Sequence, residues 1–114
     1  AFAPCWRKEM SSDNKEPKTG LKYDQDKPMY NLLPARAIDE LAKVLTFGAN
    51  KYAPNSWQNV SDGLERYRAA LLRHTFAMQS GELYDQESGI PHSAHAMCCA
   101  AFIVELEKAK LSEE

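Results

Sequence analysis

From Ala94 through Val104 the only polar residue is His95. A helix with so little polar surface has to be covered on nearly every side by other elements. The apolar run is shorter than the roughly 18 residues that would cross a bilayer, so the cover has to be protein. The spacing predicts a central helix that begins near Pro91 and continues to about Lys110. His92, His95, Cys99, Phe102, Ile103 and Leu106 share one of its faces. Small side chains at Ala94, Ala96, Ala100 and Ala101 let neighbouring helices approach closely.

The covering elements are legible upstream. Pro34 is suited to the first position of a helix. After it Ile38, Leu41, Ala42, Leu45, Ala49 and Tyr52 follow helical spacing as one apolar stripe, with Asp39, Lys43 and Asn50 turned to water. Glu40, Val44, Phe47 and Lys51 recur on another face. Apolar residues between an acid and a base imply that this side also meets protein or ligand, which would leave Glu40 partly buried and in need of a partner. Ala53-Pro54-Asn55-Ser56-Trp57 breaks the helix, and Ser61 or Asp62 can cap the next. That helix runs from about Leu64 to Ser80 and ends at Gly81. Its main stripe is Leu64, Tyr67, Leu71, Thr75 and Met78, while Arg66, Ala70, Arg73 and Ala77 form a separate line. No strand alternation or internal repeat is present. The expected fold is all-α, a compact bundle of few long helices, with an irregular N-terminal arm over residues 1–20 and a helical domain over 21–114. Phe2 and Trp6 are the residues that could hold the arm to a neighbour.

Length and composition narrow the classes. A chain of 114 residues predicts one domain. Its net charge of −2 argues against a broad nucleic-acid surface. Cys5, Cys98 and Cys99 are odd in number and lack a C-x-x-C, so neither a disulfide framework nor a zinc ribbon is expected. No signal-peptide apolar region precedes Arg7-Lys8-Glu9, and the expected location is the cytoplasm. Long apolar faces on three helices lead us to expect a homo-oligomer, with no membrane partner.

The polar chemistry gathers late in the chain. All three histidines, His74, His92 and His95, fall within 22 positions, beside Arg73, Asp85 and Glu87. His92 and His95 at i, i+3 spacing face one side of a helix and can chelate a metal, with His74, Asp85 and Glu87 completing the shell. Imidazole suits manganese, iron, nickel or zinc, whereas magnesium requires mostly carboxylate oxygen. The plainer alternative is that the histidines only hydrogen-bond within the bundle. Arg66 and Arg73 present planar donor forks that fit phosphate, with Lys51 adding charge; the alternative is salt bridging to Asp62, Glu65, Asp85 or Glu87. Tyr52 and Trp57 are candidates for stacking on a base, or else for the core. The glycines are scattered and form neither a P-loop nor a dinucleotide fingerprint.

Leu45-Thr46-Phe47-Gly48-Ala49-Asn50-Lys51-Tyr52, then Asn55-Ser56-Trp57, Arg73-His74, Gly81-Glu82 and the run Asp85 to His95 carry a resemblance. Over roughly Leu21 to Leu106 the chain resembles the phage and prophage dATP/dGTP diphosphohydrolase family, grouped with the all-α, MazG-like nucleoside triphosphate pyrophosphohydrolases. The resemblance implies hydrolysis of a purine deoxynucleoside triphosphate to monophosphate and pyrophosphate with a divalent metal, Mg or Mn foremost. On that reading Glu40 and Glu87 are catalytic. Lys51, Tyr52, Trp57, Arg66 and Arg73 hold substrate, and His74, Asp85, Glu87, His92 and His95 hold metal. MazG-like enzymes pair acids as E-E-x-x-E and E-x-x-D, whereas this chain has Arg73-His74-Thr75-Phe76-Ala77 and His92-x-x-His95. Two readings stay open: a relocated, histidine-rich metal set, or a phage protein that sequesters a nucleotide or cyclic-nucleotide signal without hydrolysing it.

Overall fold

Pro34 cannot donate a backbone hydrogen bond, and the first long helix starts directly after it. In the computed structural model, which describes residues 20–113, helix α1 spans Ala35–Lys51, α2 spans Gly63–Gln79 and α3 spans His92–Glu113. Short 3₁₀ turns occupy Tyr30–Leu32 and Ser56–Asn59. Among the described residues there is no strand, only an isolated bridge between Tyr84 and Pro91. The all-α expectation and the three helices stand. Phe2, Trp6 and Cys5 lie outside the described residues.

The described residues divide into one unit that ends at Asn31 and another that begins at Leu32. In the first, the Lys27 amide donates to the Asp24 carbonyl at 3.1 Å, closing a turn before Pro28. Everything that follows concerns the second.

Helix α3 is the central element, packing against both α1 and α2, as its apolar run requires. Ala94, Ala96, Cys98 and Cys99 are all buried along it. The core joins Val44 of α1 to Ala94 and Cys98, with Leu41, Ile90 and Phe102 packed around them. Phe102 anchors a second cluster: Trp57 stacks on it with centroids 4.4 Å apart, and Tyr67 meets it edge-on at 4.9 Å. Burial pushes the Cys98 thiol up to about 12, so it is an inert apolar residue rather than a nucleophile.

The apolar stripe expected on α1 is mostly not the buried one. Ile38 and Leu45 are each 40% exposed and Tyr52 is 71% exposed, while Val44 on the second line is buried. The reason lies in α3. Its small residues Ala94 and Cys98 admit Val44, which turns Leu45 outward.

The ends of α2 follow local chemistry. Asp62 precedes it in the left-handed region at φ 58°, without a side-chain cap. At the other end the Gly81 amide donates to Met78 and the Glu82 amide to Ala77. This is a Schellman termination, and Gly81 at φ 99° supplies the left-handed residue it needs.

Candidate functional site

The loop between α2 and α3 brings the polar residues together. Backbone bonds from Asp85 N–H to the Ile90 carbonyl (2.9 Å) and from His92 N–H to the Leu83 carbonyl (2.9 Å) pin its two arms to each other. Asp85 turns the tip. Its Oδ2 accepts the Ser88 amide and the Ser88 hydroxyl, each at 2.9 Å, and its carbonyl accepts the Gly89 amide at 2.8 Å. Gly89 sits at φ 74°, where a β-carbon would be strained. Burial would raise the Asp85 carboxyl, but the two Ser88 bonds outweigh it and hold the group below its ordinary value.

Three imidazoles face this loop. His92, 6% exposed, reaches Glu82 through Nε2 at 3.2 Å and His74 through Nδ1 at 2.9 Å. A carboxylate only accepts, so His92 Nε2 donates to Glu82, and in neutral His92 Nδ1 then accepts from His74. His95 stacks on His74 with centroids 4.7 Å apart and planes 11° off parallel. Its Nε2 lies 2.6 Å from Ser88 Oγ and 3.7 Å from Asp85 Oδ2. Burial, reinforced by the neighbouring rings, lowers the pKa of His74. Burial also lowers that of His95, against the pull of Asp85.

His74, Asp85 and His92 each place a donor atom within 4.8 Å of the other two. Donors on one divalent ion are separated by at most roughly 4.2 Å, twice a bond of about 2.1 Å, so a small contraction would let the three share an ion. Two imidazoles and one carboxylate suit manganese, iron or zinc better than magnesium. Glu82 behind His92 supplies the carboxylate that commonly orients a ligating histidine.

His74 and Asp85 of this set open onto a cleft of about 1230 Å³ between the helices. Lys51, Tyr52, Trp57, Arg66, Arg73 and His74 line it, as do Asp85, Glu87 and His95. Arg66 makes one long contact, to the Ser61 carbonyl at 3.5 Å. Among the described residues neither Arg66 nor Arg73 forms an ion pair; Glu65 and Glu107 are taken instead by Arg68. Lys51 bonds Glu87 across the cleft rim, which raises its pKa.

The structure sets Glu40 and His92 apart from the cleft wall. Glu40 bonds Lys43 at 2.7 Å on the α1 surface, and His92 lies behind His74. Three residues for which no role was expected belong to the site: Ser88 and Glu82, which hold His95, Asp85 and His92, and Glu105, which lines the cleft. The spacing Asp85-x-x-Ser88-Gly89 was the available signal for Ser88, because an aspartate that bonds the backbone ahead of it makes a turn of this type. Gly81-Glu82 stands among the motifs above, but the contact of Glu82 with His92 depends on the Schellman turn that delivers it.

The sequence profile of a family described as "dATP/dGTP diphosphohydrolase, N-terminal" matches residues 17–114. A dATP/dGTP diphosphohydrolase of Salmonella phage PMBT28 is 36% identical over 85 residues, covering 75% of this chain. The aligned region is 29% of that relative's length, so the chain spans less than a third of it. No solved structure matches the chain. The matched family region contains every residue of the cleft described above, and the chain belongs to the dATP/dGTP diphosphohydrolase family, in its N-terminal region.

Proposed function

We propose that this domain binds a purine deoxynucleoside triphosphate in the cleft and takes part in its hydrolysis to monophosphate and pyrophosphate. The observation that carries the reading is one of placement. Arg66 and Arg73, without carboxylate partners among the described residues, line the same cleft as His74 and Asp85, two of the three clustered metal donors. The relative's name supplies the substrate class.

The arginine forks would take phosphate oxygens in paired hydrogen bonds, and Lys51 would add charge at the rim. Tyr52 is the exposed aromatic available to the base. Trp57 lines the cleft too, but Phe102 already stacks on it, so Trp57 would serve as a rigid wall. Glu87, exposed beside the cleft, would accept the proton of an attacking water. Glu40 receives no role, because it lies outside the cleft and is bonded to Lys43. His74, Asp85 and His92 would hold a divalent cation, oriented by Glu82. When bound, such an ion neutralises phosphate charge and acidifies water.

Incubating the chain with dATP, dGTP and pyrimidine controls, each with Mn²⁺ or Mg²⁺, tests the reading directly. Pyrophosphate release with the purine nucleotides is expected. Tight binding with intact nucleotide recovered after denaturation would replace hydrolysis by sequestration, and neither binding nor release would remove the nucleotide reading altogether.

A further inference from the structure

The pattern His92-x-x-His95 suggests two metal-binding imidazoles, yet the hydrogen bonds around Ser88 divide them. We infer that Ser88 is a positioning residue: its hydroxyl holds His95 with the proton on Nε2, which withdraws His95 from metal binding and leaves His74, Asp85 and His92 as the donor set.

A hydroxyl has one proton to give and two lone pairs to receive. Ser88 Oγ has three polar neighbours: Asp85 Oδ2 at 2.9 Å, His95 Nε2 at 2.6 Å and the Ile90 amide at 3.2 Å. The Ile90 N–H can only donate, and it fills one lone pair. Asp85 Oδ2 already accepts the Ser88 amide, so it is an acceptor here and takes the hydroxyl proton. The one remaining lone pair must then receive a proton from His95, and Nε2 carries it. This assignment satisfies every group around the hydroxyl, whereas the opposite tautomer would set two lone pairs against each other, at Ser88 and Asp85 or at Ser88 and His95.

Two consequences follow for the cluster. His95 Nε2 lies 3.7 Å from Asp85 Oδ2. Donating to Ser88, it would have to give up that bond to ligate an ion held by that carboxylate. His95 also stands outside the cluster in which His74, Asp85 and His92 each bring a donor atom within 4.8 Å of the others. The flat stack of His95 on His74 then becomes its contribution, because it fixes the plane of the His74 ring. The same hydroxyl also fixes the rotamer of Asp85. Ser88 therefore orients one proposed ligand directly and a second through His95.

The tautomer assignment stands independently of any metal, whereas the ligand assignment rests on the cation reading above. Both can be tested on ¹⁵N-labelled protein through long-range ¹H–¹⁵N spectra of the imidazole rings, recorded metal-free at mildly alkaline pH, with His95 identified through His95→Gln. The expected result is a single Nε2–H tautomer for His95, lost in Ser88→Ala and retained in Ser88→Thr, which keeps the hydroxyl. On titration with Zn²⁺, His74 and His92 should shift to bound positions while His95 does not, and Ser88→Ala should weaken binding by about 10–100-fold, as loss of an orienting partner does. An Nδ1–H or mixed His95 in the unaltered protein overturns the inference even if Ser88→Ala fails to fold. An unchanged tautomer in Ser88→Ala, or a zinc shift at His95, does so as well. A Ser88-dependent tautomer with no zinc response supports the Ser88 assignment and instead removes the cation reading.

Discussion

His74 and His92 meet Nδ1 to Nδ1 at 2.9 Å, joining α2 to α3 beneath the loop that carries Asp85. Because Glu82 fixes the proton on His92 Nε2, the contact has a direction, with His74 donating. Replacing His92 by Ala removes the acceptor for His74 and the donor for Glu82 at a buried position. Leaving such a polar group unpaired costs about 1–3 kcal/mol. Denaturant unfolding of metal-free His92→Ala should show that loss, and thermal stabilisation by Zn²⁺ should disappear with it. If the variant keeps the zinc-induced rise in Tm, His92 is not a ligand.

The lowered pKa values of His74 and His95 set a direction for stability against pH. Below the ordinary histidine value of 6.5 the unfolded chain takes up protons that the folded protein resists. The unfolded state then binds more protons, so stability falls as pH falls. Asp85 has the same sign in a lower window: its contribution is present above the ordinary value of 3.8 and is lost as pH drops through its lowered folded value. Metal-free Tm should therefore decline on acidification from pH 6.5, and His74→Gln should flatten that decline. A Tm that rises on going below pH 6.5 would contradict the burial argument.

The helices were readable in the sequence because their signals are local. Pro34 and Gly81 mark ends, and the periods of Leu64–Met78 and Ala94–Val104 mark faces. The convergence of Lys51, Arg66, Arg73 and Asp85 on one cleft was readable for a similar reason, since helical spacing already put the arginines on one line. Which face of α1 is buried was not readable. Two apolar lines run along that helix, and only the small residues of α3 choose Val44 over Leu45. The divided roles of His92 and His95 were hidden too, because they depend on how the loop closes around Ser88 and Gly89.

The Lys51–Glu87 pair separates stability from binding. Both side chains are exposed, at 39% and 58%, and exposed pairs contribute about 0–1 kcal/mol. Lys51→Met should thus leave unfolding nearly unchanged while reducing nucleotide affinity about tenfold, equivalent to roughly 1.4 kcal/mol. Glu87→Gln should keep binding and lower turnover. Equal loss of stability and affinity in Lys51→Met would mark the lysine as structural.

Leu72 and Phe76 lie one turn apart on α2, 52% and 65% exposed, while Ile38 and Leu45 are exposed on α1. No side chain among the described residues is wholly buried, and a unit this small gains stability by association. Light scattering should give a mass that is a multiple of 12.9 kDa, reduced to a single copy by Phe76→Asp. A monomer at micromolar concentration in the unaltered chain would exclude self-association through these faces.

Gly48 offers the sharpest contrast in sign. It sits inside α1, where glycine is unfavourable relative to alanine by roughly 0.5–1 kcal/mol, and its φ is not in the left-handed region. A β-carbon built there meets nothing within 4 Å, so packing does not demand glycine either. The residue lines the cleft together with Phe47, Tyr52 and Trp57. The open space above it is therefore available to the flat base of a bound nucleotide. Gly48→Ala should raise Tm in the absence of ligand and weaken binding of dATP and dGTP by about tenfold, or roughly 1.4 kcal/mol. Calorimetric titration and thermal unfolding on the same preparation decide it. A variant that gains stability and binds as well as the unaltered chain would show that the base lies elsewhere in the cleft.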